Sequence, residues 1–332
     1  MTYNVAIVGA TGMVGRQFIE ILKERNFPIE NLYLFASKRS AGSRVNYKEK
    51  EIVVEELKEE NICNKKIHFA LFSAGGSTSL EYAKIFVKYG AIVIDNSSAF
   101  RMDEDVPLVV PEVNGEDIRN HNGIIANPNC STIQAMVALK PLYDTYGIER
   151  VVYSTYQAVS GAGMHGYSDL ENGIKGESPK KFTSPIAYNV IPQIDVFLDN
   201  GYTKEEIKMI DESKKILHDT NLRITATTVR VPVYHGHSES INVELKKDFN
   251  IEDIFELYKK SEGIVVMDNT KEEIYPMPIN IAGKDEVFIG RIRRDFSVDR
   301  GLNLWVVADN IRKGAALNAV QIAETFIEKD LI

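Results

Sequence analysis

Over the first 130 residues of the chain, short and almost continuously apolar runs alternate with amphipathic ones. Val5-Ala6-Ile7-Val8 reads as a strand, and Met13 to Asn26 as a helix with Val14, Phe18, Ile21 and Leu22 on one face. Further strands are expected at Leu32–Ala36, His68–Phe72, Ala91–Ile94 and Ile124–Ala126, with a helix from Ser79 to Tyr89 between two of them. Strands that are apolar on both faces need cover on both, and strands separated by helices pair in parallel through crossovers. The pattern predicts a doubly wound, Rossmann-like parallel sheet.

The pattern changes after residue 147. Longer strands are expected at Ile148–Val159, Ile224–Val233, Ser240–Leu245, Val287–Arg293 and Leu302–Val307, with helices near 203–218 and 251–260. This half reads as an α+β domain on a mixed, largely antiparallel sheet. Asn310 to Glu328 is strongly helical and long enough to return to the first domain. The expected division is 1–129 with 310–332 as one domain and 130–309 as the other, in keeping with a 332-residue chain. No repeat, low-complexity tract or long linker interrupts it.

The net charge of −8, with both signs interspersed, argues against a nucleic-acid backbone as partner. No apolar run reaches the ~20 residues of a membrane span. The first residues carry neither a basic stretch nor a cleavage site, so no secretion signal is expected. Cys63 and Cys130 are the only cysteines, too few for a disulfide framework, and a cytoplasmic location is expected.

Between the first strand and the first helix lies Gly9-Ala10-Thr11-Gly12-Met13-Val14-Gly15. Glycines here permit a tight turn and close approach of a pyrophosphate, whose charge a helix N-terminus favours. The spacing is G-x-x-G-x-x-G, and a ligand-free turn would use the same residues. After the second strand the chain reads Ser37-Lys38-Arg39-Ser40, without the acid that would bind a ribose 2′-hydroxyl. Two cations and two hydroxyls suit a 2′-phosphate, hence NADP, unless this is only an exposed basic turn. Ser73, after a later strand, can continue the nucleotide groove.

Cys130, in Asn127-Pro128-Asn129-Cys130-Ser131-Thr132, stands between a strand and an apolar helix. A helix N-terminus stabilises a thiolate, which makes Cys130 a candidate nucleophile and Asn129 a residue that orients the reacting group. A buried, inert thiol is equally compatible. Cys63 has no comparable setting.

Arg230-Val-Pro-Val-Tyr-His235-Gly-His237 offers a histidine acid/base, a metal pair without a third ligand, or a structural histidine. Arg101, beyond a strand end, and Arg230 are candidate anion clamps. Glu205 and Lys208 stand at i, i+3 on a helix, a spacing that by itself indicates a surface ion pair.

Together these stretches resemble the aspartate-semialdehyde dehydrogenase family along nearly the whole chain. The resemblance is carried by GATGMVG, SKRSAG, DNSSAFR, VPEVN, NPNCSTIQ, YQAVSGAG, YNVIPQID, EEIK, RVPVYHGHSE and DNIRKGAALNAVQIAE. It implies NADP-dependent interconversion of L-4-aspartyl phosphate and L-aspartate 4-semialdehyde, in lysine, threonine and methionine synthesis, by a homodimer without a metal. Cys130 would attack the aldehyde, with His237 as acid/base and Gln157 orienting the acyl group. Arg230 would hold the substrate carboxylate and Glu205 its ammonium, while Arg101, Lys208 and Asn129 would bind inorganic phosphate. The cofactor would be met by Gly9, Ala10, Thr11, Gly12, Met13, Val14, Ser37, Arg39, Ser40, Ser73, Ser160, Gly161 and Asn310.

The nearest rival is N-acetyl-γ-glutamyl-phosphate reductase, whose acylated amine would leave Glu205 without a charged partner. Glyceraldehyde-3-phosphate dehydrogenase fits the cysteine motif and cofactor turn less well. A non-catalytic NADP-binding paralogue would have no need to keep Cys130, Gln157, Arg230 and His237 together.

Overall fold

A computed structural model describes residues 1–332 as two compact units, Met1–Pro128 with Ala315–Ile332, and Asn129–Gly314. In the first, the chain runs β1 (Tyr3–Val8), α1 (Met13–Glu24), β2 (Ile29–Ala36), β3 (Arg44–Tyr47), β4 (Lys50–Glu56), α2 (Glu59–Ile62), β5 (Phe69–Phe72), α3 (Gly76–Lys88), β6 (Ile92–Asp95), α4 (Pro111–Asn114) and β7 (Ile124–Ala126). The strands form one sheet in the order β3-β4-β2-β1-β5-β6-β7. Every neighbouring pair is parallel except the β3–β4 hairpin at the edge.

That hairpin is absent from the sequence expectation because its charged residues, Arg44, Lys50, Glu51, Glu55 and Glu56, mask the period of an edge strand exposed to water. The four central strands behave as expected, with Val5, Ile7, Leu34, Phe69, Leu71 and Ile94 buried. The C-terminal helix Leu317–Glu328 contributes Leu317, Val320, Ile322 and Phe326 to this core. The expected single helix from Asn310 is broken instead. Arg312–Ala316 forms a turn of π-helix before Leu317.

The second unit contains α5 (Cys130–Tyr146), β8 (Ile148–Gln157), α6 (Met164–Ile174), α7 (Lys204–Ile216), β9 (Arg223–Arg230), β10 (His237–Leu245), α8 (Ile251–Lys260), β11 (Ile264–Val266), α9 (Pro278–Ile281), β12 (Val287–Asp295) and β13 (Gly301–Ala308). Its sheet runs β11-β12-β13-β10-β8-β9. Three of the five pairings are antiparallel and two, β11–β12 and β8–β9, are parallel. Helix α5 is buried on nearly all sides from Ser131 to Leu139, as befits a core helix without an amphipathic stripe. No helix is long and apolar enough to cross a membrane.

Candidate active site

Asn129 is the N-cap of α5. Its Oδ1 accepts from the backbone N–H groups of Ser131 at 2.9 Å and Thr132 at 3.3 Å. These bonds satisfy amides that a helix start leaves without partners. The first helical residue is Cys130, half-buried and outside any disulfide, with no acidic side chain in its turn. The dipole and amides of the helix start therefore favour its thiolate.

Helix α7 holds that turn from the side. Its own start is a capping box, in which Thr203 Oγ1 accepts from Glu206 N and Glu206 Oε2 accepts from Thr203 N. Glu206 Oε1 also takes the Thr228 N–H of β9 at 3.0 Å, tying helix to sheet. Residues 205, 208 and 212 then share one face. Glu205 Oε1 accepts from Asn129 Nδ2 at 2.8 Å, and Glu212 Oε2 accepts from the Asn129 backbone N–H at 2.6 Å.

Lys208 Nζ bridges Glu205 Oε2 at 3.1 Å and Asp195 Oδ2 at 2.9 Å. Burial pushes the Glu205 carboxyl up, yet the Lys208 charge, the Asn129 hydrogen bond and the Arg230 charge together hold it below the usual carboxylate value. Burial likewise opposes the Lys208 ammonium, and Glu205 and Asp195 more than offset it. What spacing alone reads as a surface pair is a buried carboxylate with a sheltered lysine.

Three further side chains come from adjacent strand ends. Gln157 closes β8, Arg230 closes β9 directly opposite it, and His237 opens β10. Gln157 Nε2 reaches Thr155 Oγ1 and Glu205 Oε1, each at 3.4 Å. Arg230 Nη1 donates to the Ala158 carbonyl at 2.7 Å. Burial lowers the pKa of its guanidinium, opposed by the charge of Glu205 and then by Cys130, so both lie close to it.

His237 is fully buried, and its Nδ1 accepts from the Ala158 backbone N–H at 3.0 Å. The ring proton therefore sits on Nε2, a buried atom without a protein partner. Burial, and then the Arg230 charge, keep this imidazole neutral well below the ordinary histidine value. Gly161 explains the proximity, because a Cβ there would lie 2.7 Å from Arg230 Nη1 and 3.4 Å from His237 Nε2. Nearby in sequence, Ser160 and Asn310 exchange hydrogen bonds, and Asn310 Oδ1 also accepts from the Gly236 N–H.

The other residues expected at a site belong to the first unit. Gly9 has φ +88°, and a Cβ on it would come within 2.4 Å of the Ser73 carbonyl oxygen. A Cβ on Gly15 would lie 2.1 Å from the Gly9 oxygen, so strand, turn and helix meet without side chains. Gly12 precedes α1 with no side-chain cap and no acid in the first turn, which leaves the first amides of Met13 and Val14 for an anionic ligand. This cradle fits a dinucleotide pyrophosphate. Ser37, Lys38 and Arg39 are exposed in the turn after β2, with Ser40 half-buried beside them. Arg101 is buried, its Nε donating to the Asn127 carbonyl and its Nη2 to the Asn96 carbonyl.

Several site features escaped the sequence reading. Glu212 and Asp195 carried no local signal beyond charge. Gly314 lies against Cys130, for a Cβ on it would stand 2.9 Å from Cys130 Cβ. Its place in a π-turn is the kind of helix irregularity often found at functional sites. His235, weighed as a metal ligand, bonds the Tyr167 hydroxyl, and no group of three His, Cys, Asp or Glu side chains is arranged for a metal.

Comparison with known proteins adds an independent line. Residues 4–121 match the family model for the semialdehyde dehydrogenase NAD-binding domain, and residues 139–313 match that for the semialdehyde dehydrogenase dimerisation domain. The chain is 58% identical to the aspartate-semialdehyde dehydrogenase of Aquifex aeolicus strain VF5, with each chain covered in full. Aspartate semialdehyde dehydrogenase II of Vibrio cholerae, solved in complex with ASA, superposes with a TM-score of 0.94 at 46% identity and 99% coverage of both chains. The Candida albicans enzyme, solved with NADP, gives a TM-score of 0.80 at 27% identity, again with full coverage. Relatives of this name match along the entire length, and the chain belongs to the aspartate-semialdehyde dehydrogenase family of oxidoreductases.

Proposed function

We propose that the chain interconverts L-aspartate 4-semialdehyde and L-4-aspartyl phosphate, with NADP as cofactor, inorganic phosphate as acyl acceptor and a homodimer as the working form. The observation that carries this reading is the grouping of a thiol at the start of α5 with Arg230, Glu205, Gln157 and His237. The substrate has an ammonium, a carboxylate and an electrophilic carbon, and each meets a counterpart.

In the oxidative direction the Cys130 thiolate attacks the aldehyde carbon and its negative charge moves to oxygen. The Nε2–H of His237 donates to that oxyanion, a preorganised stabilisation that needs no proton from bulk water. Arg230 holds the carboxylate and Glu205 the ammonium, so the carbon is presented in one orientation. When bound, the nicotinamide supplies the hydride acceptor that leaves Cys130 carrying a thioester. Gln157 steadies the acyl oxygen while phosphate, held by Lys208 and Asn129, attacks and releases the thiolate.

NADP is favoured over NAD by Lys38 and Arg39 and by the lack of an acid after β2. The solved NADP complex of a relative lends support. A homodimer is supported by the dimerisation-domain match, with the partly exposed Tyr156 and Trp305 rings packed 5.5 Å apart on the sheet face away from α5. A cytoplasmic location goes with two cysteines outside disulfides. The test is NADPH formation from L-aspartate 4-semialdehyde and NADP, with and without inorganic phosphate. Production that depends on phosphate is expected, and production indifferent to phosphate would overturn acyl transfer to it.

A further inference from the structure

Behind the nucleophile lies a carboxyl group that the reaction just described does not use. Glu239 stands two residues after His237 on β10, so both side chains project to the sheet face that α5 covers. It is fully buried, opposite Thr155 on β8 and Val306 on β13. Neither carboxyl oxygen has a hydrogen-bond partner. The Ser131 and Thr132 hydroxyls and Gln134 Oε1, all on the first turns of α5, are also without partners. Gln134 Nε2 meanwhile donates to the His237 carbonyl at 3.3 Å, so helix and strand are already joined at this level.

An ionised carboxylate left alone in such a place costs far more than a neutral acid. Burial pushes Glu239 well above the usual carboxylate value, and the smaller opposing influence is the Ser131 hydroxyl, close by but not in hydrogen-bond geometry. The titratable groups on the surrounding elements are Cys130 on α5, Tyr153 on β8 and His237 on β10 itself. Tyr153 is buried as a neutral phenol bonded to Ser213, and Val306 brings no charge from β13. Burial favours the neutral acid, which is a donor, and the unpartnered Ser131 and Thr132 hydroxyls of α5 are able to accept.

We propose that Glu239 is a positioning residue for the nucleophile, its carboxylic acid donating to the Ser131 hydroxyl and holding the first turn of α5 against β10. Ser131 follows Cys130 directly, and its N–H is the nearer of the two capped by Asn129. Side-chain cap and acid therefore grip the same residue from its two polar groups. Because the acid is uncharged, it anchors the turn without opposing the Cys130 thiolate, which a buried carboxylate would do.

The proposal rests on Cys130 being the nucleophile, and its primary readout does not need substrate. The rate of Cys130 alkylation by iodoacetamide is followed against pH in the full-length protein, with the Cys130 peptide resolved from Cys63 by mass spectrometry. Glu239→Leu and, independently, Ser131→Ala are expected to raise the apparent thiol pKa by about one unit, a tenfold loss of thiolate at neutral pH. The turnover number should fall in parallel while KM for the semialdehyde stays within about threefold. Glu239→Gln keeps a donor in a neutral group and is expected to restore both readouts to within about threefold of the parent. The proposal is overturned if the Gln variant behaves like Leu, if it lowers the thiol pKa by a unit, or if Leu and Ala both match the parent. Should the Leu variant fail to fold, Ser131→Ala and the Gln arm decide the matter alone.

Discussion

Asn129 gives its amide hydrogen to Glu205 at 2.8 Å while its amide oxygen caps the helix that begins with Cys130. The buried Glu205 carboxylate and the start of the helix that carries Cys130 are thereby joined through one side chain. Asn129→Ala removes the cap, worth about 1 kcal/mol, and strips Glu205 of a donor. The expected result is a melting temperature lower by several degrees and a turnover number reduced at least tenfold, read by calorimetry and steady-state kinetics.

Lys208 is shared between Glu205 and Asp195, so much of its charge is already neutralised before any anion arrives. Asp195→Asn removes one counter-charge and keeps a hydrogen-bond acceptor. We expect KM for inorganic phosphate to fall about threefold with KM for the semialdehyde unchanged. An unchanged phosphate KM in initial-rate measurements would remove Lys208 from phosphate binding.

Gly314 lets its chain pass against Cys130, where a Cβ would meet Cys130 Cβ at 2.9 Å and Cα at 3.3 Å. Gly314→Ala must displace Cys130 or the π-turn, at a cost of about 1–3 kcal/mol. Folding should survive, as judged by circular dichroism, with the alkylation rate of Cys130 and the turnover number both reduced. Parent-like values for both would mean that the turn yields freely.

His237 is held neutral, with its native pKa far below the ordinary value of 6.5. Below that ordinary value the unfolded chain binds a proton that the native protein does not. The stability difference is therefore fully present above about pH 6.5 and is lost progressively as the pH falls below it. His237→Gln should flatten this part of the stability curve, which denaturant titrations between about pH 5 and 7.5 will measure. An equally steep decline in the variant would assign the acid sensitivity to other groups.

Arg39 is exposed in the turn after β2 and serves no hydrogen bond in the first unit's core. Arg39→Asp should raise KM for NADP at least tenfold and leave NAD little affected, since only the former carries a 2′-phosphate. Equal losses with both cofactors would refute the assignment.

Local chemistry was legible in the residues themselves. The apolar runs of β1, β5 and β6, the glycine turn before α1 and the thiol at the start of α5 all depend on neighbours within a few positions. Hydrophobic period, turn geometry and helix dipole therefore declare them. The edge hairpin β3–β4 was hidden because strands open to water carry charged side chains. The break before Leu317 was hidden because a π-turn has no composition of its own.

What tertiary structure alone decided is the meaning of ambiguous polar residues. Glu205 and Glu212 reach Asn129 from 76 and 83 positions away, and no spacing rule connects them. At i, i+3 on a bare helix, Glu205 and Lys208 would be a weak solvated pair. Packing of α7 against α5 removes water from them, and in that low-dielectric setting the same charges become strong and directional. Sequence determined most of the elements and the helix that begins at Cys130. Burial, which depends on how distant segments pack, decided which charges belong to the site.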